Sequence, residues 1–394
     1  MSVGRTPARR PFPALLRAAS RILPLTVALL SGTACAQGTE GRGEVVESQA
    51  ARFRVTTFAG GLSHPWGGAF LPDGRMLVTE RPGRLRLIDR DGSVSPPLGG
   101  VPEVAAAGQG GLLDIQLAPD FASTRELYFC HAAAVRGGNV TRLVRARLAG
   151  DARSLDSAQP IFDALPAQTG NGHYGCRISF GRDGKLYLTT GDRQRVSERA
   201  QDLSDLAGKL LRLERDGRPA EGNPALPGAR PEIFAYGIRS PQGLAVNPAT
   251  GTMWEVEMGP RGGDEVNLVR PGANYGWPVV GHGTAYSGLQ IHEAPSRPDM
   301  QDPLRFWTPA ISPSGVAFYN GDAFPGWKGD LFMGTLSSAG LMRLEVEGDQ
   351  IRGEERLLWG QTRIRHVVQG PEGALYLLTD ENRGRILKLE PAGE

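Results

Sequence analysis

One phrase recurs six times along this chain, and it limits the fold more than any other feature. A turn built from Pro, Asp or Gly leads into an alternating apolar strand. The copies are Pro72-Asp73-Gly74 leading to Met76–Thr79, Pro119-Asp120 to Leu127–Phe129, and Arg182-Asp183-Gly184 to Leu186–Thr189. They continue with Pro248–Gly251 to Met253-Trp254, Gly326–Asp330 to Leu331-Phe332, and Pro371-Glu372-Gly373 to Leu375–Leu377. A second strand follows each copy: Gly83–Ile88, Arg142–Leu148, Gly208–Leu213, Asp264–Val269, Gly340–Val346 and Gly384–Leu389. Beyond the N-terminal segment, no stretch of 10–15 residues keeps a helical period. Regular self-similarity carried only by strands predicts an all-β six-bladed β-propeller with four antiparallel strands per blade. Six blades sharing the chain average about 57 residues each, more than the shortest propeller repeats, so the connecting loops are long. The alternating segment Phe53–Phe58 precedes the first copy. It is suited to pair with the last blade and close the ring, which removes two open sheet edges. The competing architecture is two separate β-sandwiches.

Residues 1–36 read as an export signal. Five arginines and no acid accompany the apolar run Ile22–Leu30, and Ala34-Cys35-Ala36 supplies an A-x-A cleavage site. The apolar run is too short to span a bilayer. Cys35 offers the alternative of a lipid anchor, and Arg9-Arg10 resembles a twin-arginine signal. This places the mature protein in the periplasm or outside the cell, with no integral membrane segment after processing. Residues 37–50 read as a flexible tether and 51–394 as the propeller domain. The whole chain has 44 basic and 42 acidic residues. Without the five signal arginines the balance turns slightly acidic, which argues against a nucleic-acid partner. Cys130 and Cys176 are the cysteines of the mature chain; spacing alone leaves open whether they are buried thiols or a disulfide.

Five polar constellations fall in loops between the strand phrases, where propellers place their ligands. Gly108-Gln109-Gly110-Gly111 permits close backbone approach to a ligand. His173, among glycines, stands one hairpin away from Asp192; a carboxylate holding an imidazole makes a better general base, though a structural pair fits equally. Arg239-Ser240-Pro241-Gln242 presents a fixed cation in a tight loop. Glu257–Glu265, followed by Asn274-Tyr275-Gly276-Trp277-Pro278, offers carboxylates and exposed carbonyls of the kind Ca²⁺ takes. Arg363-Ile364-Arg365 puts two guanidinium groups on one face of a strand, which calls for an anion between them.

Together these strings resemble the pyrroloquinoline quinone (PQQ)-dependent soluble aldose sugar dehydrogenase and soluble glucose dehydrogenase family. The resemblance runs from about Phe53 to Glu390 and includes Gly61–Trp66, Gly108–Asp114, His173–Arg177, Thr189–Arg193, Gly237–Gly243, Gly259–Asn267, Gly272–Pro278, Arg363–Arg365 and Leu378–Asp380. It implies PQQ and Ca²⁺ as cofactors, and oxidation of an aldose at its C1 hydroxyl to a lactone by hydride transfer to the quinone. His173 matches the general base, Asp192 its orienting carboxylate, and Arg239 the arginine beside the reactive carbonyl. Gln109, Ser240, Gln242, Arg363 and Arg365 fall at cofactor-binding positions. The carbonyls of Gly259 and Pro260 match ligands of the Ca²⁺ that holds PQQ; Glu265 and Tyr275 match a second, structural Ca²⁺. Ser240 replaces an Asn common in the family, Met258 stands where His is common, and Ser337 replaces a lysine of the glucose-specific branch, which points to the broader aldose branch. The electron acceptor is not identifiable from sequence. Two alternatives remain: a Ca²⁺-dependent propeller lactonase, which needs no arginine pair, and a cofactor-free propeller that binds a carbohydrate or a partner.

Overall fold

The recurring phrase supplies the second and third strands of every blade, and the loops around it supply the rest. The computed structural model describes Met1 and residues 43–393, so the signal segment with Cys35 lies outside the described residues. Six antiparallel sheets follow one another along the chain. The first blade has three strands, Pro65–Phe70, Met76–Glu80 and Arg84–Ile88. The next four have four strands each, beginning at Leu112, Gly175, Pro241 and Pro313. The sixth, beginning at Ile364, has five. Two of its strands come from the other end of the chain. Arg52–Leu62 pairs with Gly384–Pro391 through Val55↔Leu389 and Thr57↔Leu387, so the ring closes as the sequence predicts. Glu44–Glu47 adds an outer strand against Arg52–Val55. Those four residues lie in the stretch read as a tether. They are held by the edge of the sixth sheet, which gives their backbone groups partners.

Each blade's first strand packs against the first strands of both neighbours, and the six together line a central channel. All six carry one extra residue at the same height, with a register break between Pro65/Gly68, Leu112/Ile115, Gly175/Ile178, Pro241/Gly243, Pro313/Val316 and Ile364/His366. A bulge re-aims the side chains at its own position. Here the bulged residues include Trp66, Asp114, Arg177, Gln242 and Arg365, and they converge on Arg177. Its guanidinium lies 3.2 Å from Asp114 Oδ1 and donates to the carbonyls of Gln242 and Arg365 at 2.5 and 3.1 Å. It also lies 3.9 Å from the Trp66 ring and 3.2 Å from His366 Nδ1. A side chain at Gly315 would collide with His366 and Arg177, so glycine is required at that bulge. The result is a plug across the channel.

The apolar core lies between blades. Phe53, Tyr319, Phe324, Trp327, Phe332 and Leu377 pack the fifth blade on the sixth. Cys130 and Cys176 form a disulfide, which ties the second blade to the bulge of the third. Among the described residues no helix is long and apolar enough to cross a membrane.

Candidate active site

The residues singled out from the sequence stand at the mouths of the inner strands. Gln109, His173, Arg239 and Arg363 precede the strands that begin at Leu112, Gly175, Pro241 and Ile364. A cavity of about 270 Å³ opens above the plug, walled by Trp66, Arg81, Gln109, Tyr174, Gln242, Met258, Leu336, Arg363, Arg365 and Asp380. That is near the lower end of the size range of small-molecule sites. A second chamber, of about 430 Å³, lies on the far side of Arg177 and His366. Arg177 and Asp114 line this far chamber, while Trp66, Gln242 and Arg365, which touch Arg177, line the first. Burial brings the Arg177 pKa down to about 10 and raises that of Asp114, each partly offset by the other's charge.

The hairpin from Gly175–Phe180 to Leu186–Thr190 brings His173 and Asp192 together, with Nδ1 2.7 Å from Asp192 Oδ1. Both are buried. The backbone N–H of His173 donates to Gln109 Oε1 at 2.7 Å, which links the pair to the cavity wall. His173 has φ 41° and Cys176 φ 75°. Such left-handed positions cost of order 1 kcal/mol each and persist where the surroundings over-determine them. The disulfide at Cys176 is one such constraint. Burial lowers the His173 pKa below the ordinary imidazole value, against the opposing pull of Asp192. The ring is therefore neutral at pH 7 and able to accept a proton. At Asp192 burial pushes the carboxyl up, but His173, the Gln194 N–H and the Arg239 charge together outweigh this and hold it low. Nδ1–H donates to Asp192, so Nε2 carries the free lone pair; it makes no hydrogen bond among the described residues.

Arg363 and Arg365 are brought together, but their counter-anion belongs to the chain. Both donate to Asp380 Oδ2, at 3.0 and 2.8 Å. The two do not alternate on one strand face, because Arg363 precedes the strand and Arg365 sits in its bulge. Asp380 also takes His64 Nδ1 at 2.9 Å. Burial alone would raise its pKa, yet Arg365, His64 and Arg363 hold the carboxyl well below the usual range. One carboxylate faces three arginines in this wall, counting Arg81, so the cavity keeps a positive excess. Arg365 Nε is buried without a partner. A flat anionic ligand fits those donors.

A smaller cavity of about 20 Å³ adjoins, lined by Arg239, Glu257, Gly259, Pro260, Glu265, Tyr275 and Trp277 among others. It has room for a single water or ion. This brings together all four residues expected to bind Ca²⁺. Glu255, Glu257 and Glu265 are buried near one another, and burial pushes all three carboxyls up, Glu257 to about 7. Glu255 Oε1 and Asn267 Oδ1 have no partner. Donors of this kind suit a hard cation. Among the described residues, no group of three or more His, Cys, Asp or Glu side chains is arranged about a metal position, so backbone carbonyls would have to contribute. The Tyr275 hydroxyl already donates to Leu268 O and accepts from Arg270 N–H, which leaves its carbonyl. The Gly259 carbonyl accepts from Arg239 Nη1 at 2.8 Å. Glu257 Oε2 accepts the backbone N–H groups of Arg239 and Ser240 and so fixes that loop. Gln242 joins the two halves of the site: its Nε2 donates to Ser240 Oγ at 3.4 Å, and its Oε1 accepts from Arg365 at 3.0 Å.

Sequence reasoning did not single out Arg81, Glu257 or Trp277 as site residues, although Glu257 and Trp277 lie in the fourth constellation. Nor did it assign a role to Asp114 or Arg177. Asp380 had a usable signal, since it follows a strand just as Asp192 does.

The model of the Glucose / Sorbosone dehydrogenase family matches residues 62–388. The aldose sugar dehydrogenase YliI of Escherichia coli is 42% identical over 337 residues, covering 84% of this chain and 91% of that protein. A crystal structure of a glucose dehydrogenase superposes with TM-score 0.83 at 44% identity, over 86% of this chain and 99% of that one. The PQQ-bound aldose sugar dehydrogenase of Streptomyces coelicolor superposes with TM-score 0.72 at 32% identity, over 86% and 98%.

Proposed function

We propose, for a chain that belongs to the Glucose / Sorbosone dehydrogenase family, that this sugar dehydrogenase oxidises the C1 hydroxyl of aldoses to lactones with PQQ and Ca²⁺. The observation that carries the reading is a neutral, carboxylate-held imidazole joined through Gln109 to an arginine-walled cavity. When bound, PQQ supplies the acceptor for the C1 hydride, and Ca²⁺ a positive charge beside it. Arg363, Arg365 and Gln109 would hold the cofactor, with Arg81 adding charge. The carbonyls of Gly259 and Pro260, together with Glu265 and the Tyr275 carbonyl, would take one Ca²⁺ in that single-ion cavity.

His173 Nε2 removes the hydroxyl proton as the hydride leaves C1. Asp192 keeps Nδ1 protonated, which fixes the tautomer, and stabilises the imidazolium that forms. Arg239 presents a guanidinium to developing negative charge. The plug at Arg177 closes the cavity from below and limits water. A lactonase would have no use for the arginine excess, and a passive carbohydrate binder none for a neutral buried imidazole with a free Nε2.

We also propose that residues 1–36 direct export and are removed, so that the propeller from about residue 51 works in the periplasm or outside the cell and passes electrons to a separate acceptor. The test is a titration of purified protein with PQQ and Ca²⁺, followed by dye reduction with a panel of aldoses. A shifted quinone absorption band and sugar-dependent dye reduction are expected. Sugar-independent rates, with lactone hydrolysis instead, would overturn the dehydrogenase reading.

A further inference from the structure

We infer that Trp277 is a positioning residue for the His173–Asp192 pair and sets the basicity of His173 through its indole N–H. The inference rests on the dehydrogenase reading only for the use made of that basicity. Trp277 Nε1 donates to Asp192 Oδ2 at 2.8 Å. The other oxygen, Oδ1, takes His173 Nδ1 and the backbone N–H of Gln194, each at 2.7 Å. Three donors from three chain segments thus share one buried carboxylate. Trp277 comes from the long loop that follows the third strand of the fourth blade, 85 residues away in sequence.

The indole is itself tightly held. Its backbone N–H donates to Gly237 O at 2.9 Å, and its carbonyl accepts from Gln201 Nε2 at 2.7 Å. His292 packs edge-on to the ring at 5.5 Å, and the Arg239 guanidinium stands 5.2 Å from the ring centroid. One side chain therefore touches both the carboxylate behind the base and the cation beside it.

The consequence is electrostatic. A donor on the far oxygen stabilises the carboxylate's negative charge and leaves less of it for the imidazolium. It also stops Asp192 from rotating away from Nδ1. The groups that face His173 are Asp192 on Nδ1, Gln109 on its backbone N–H, and the charges of Arg239 and Arg193. Trp277 acts through the first of these. Without the indole N–H, Asp192 holds the ring proton more tightly and the His173 pKa rises.

Trp277→Phe removes the donor and keeps an aromatic ring under Arg239. Imidazole NMR of the full chain, with His173 assigned from a His173→Gln sample, reads the pKa without cofactor. We expect a rise of about 0.5–1 unit. In PQQ- and Ca²⁺-loaded enzyme the acid limb of kcat/KM should move up by the same amount. The kcat at pH 8 should fall less than about tenfold. In an Asp192→Asn background Trp277→Phe should shift nothing further. A purely structural role would lower stability and leave the His173 pKa and the acid limb in place; that outcome overturns the inference. If Trp277→Phe does not fold, protein with Trp277 intact gives the answer. Its Trp277 indole N–H resonance should move as His173 titrates and shift upfield in Asp192→Asn, and a resonance insensitive to both overturns the inference equally. An inactive wild type with a shifted His173 pKa would sink the dehydrogenase reading alone.

Discussion

Replacing Arg177 by Met should destabilise the protein by about 3–5 kcal/mol, the usual cost of leaving one partner of a buried ion pair alone. The structure supports the upper part of that range. Arg177 and Asp114 are each about 1% exposed. The guanidinium has protein partners from four of the six inner strands besides its own, and a carboxylate left without it keeps backbone N–H donors such as Ile178 at 2.9 Å but no counter-charge. Unfolding entropy of about 2.1 cal/mol/K per residue over about 350 residues turns 4 kcal/mol into a fall in melting temperature of about 5 °C. The double variant Asp114→Asn/Arg177→Met leaves no uncompensated charge and should cost much less, so the coupling between the two sites should be large and favourable. The pH sign is also fixed. Asp114 has a raised folded pKa, and without Arg177 it rises further. The folded single variant then binds a proton that the unfolded chain does not. Its deficit should be largest at pH 8 and shrink as the pH falls through that raised pKa. Calorimetry on the wild type, both single variants and the double variant measures all of this. Additive losses with no pH dependence would refute the plug as an electrostatic unit.

The site makes three further predictions. His173→Ala should lower kcat by about 10²–10⁴-fold while PQQ still binds, and Asp192→Asn by less, checked by steady-state kinetics with PQQ and Ca²⁺ saturating; near-normal turnover would end the general-base assignment. Replacing Arg365 with Ala should weaken PQQ binding by about 1.5–3 kcal/mol, and Arg363→Ala by less. The Arg363 side chain is 48% exposed against 12% for Arg365, and equal or absent effects in an absorbance titration would count against a cofactor-facing pair. Ca²⁺ should raise the melting temperature more at pH 8 than at pH 6, with EDTA reversing the gain. Glu257 has a folded pKa raised by burial to about 7. Without a cation its contribution to stability is therefore present at low pH and lost as pH rises through 7, where the charged carboxylate becomes available to the metal. A melting temperature indifferent to Ca²⁺ at both pH values would remove the cation site.

The blades were legible because their second strands are short apolar runs set off by turn residues, as in Leu186–Thr189 after Asp183-Gly184, and are buried on both faces. The inner strands were not. Pro65–Phe70 reads Pro-Trp-Gly-Gly-Ala-Phe and Pro313–Phe318 reads Pro-Ser-Gly-Val-Ala-Phe. Each carries a bulge that breaks the two-residue period, and each faces a polar channel on one side. Alternation vanishes for the reason that makes these strands functional, since an extra residue turns Trp66, Arg177 or Arg365 toward the axis. The tether reading failed at Glu44–Glu47 because composition cannot show a waiting sheet edge.

The site divides along the same line. His173 and Asp192 belong to one hairpin, so their meeting could be read from local order, as could the Arg239-Ser240-Pro241-Gln242 loop. What joins the parts is nonlocal: Trp277 to Asp192, Gln242 to Arg365, and Asp380 to Arg363 and Arg365. The arginine pair shows the difference this makes. Two guanidinium groups close in sequence were read as needing a ligand's anion between them, and the fold supplies Asp380 instead. That internal carboxylate offsets the repulsion between the two guanidinium groups. It also leaves one cation's worth of charge, increased by Arg81, directed at the cavity. An anionic cofactor then meets a wall organised in advance rather than one that must be ordered on binding, which lowers the entropic cost of binding.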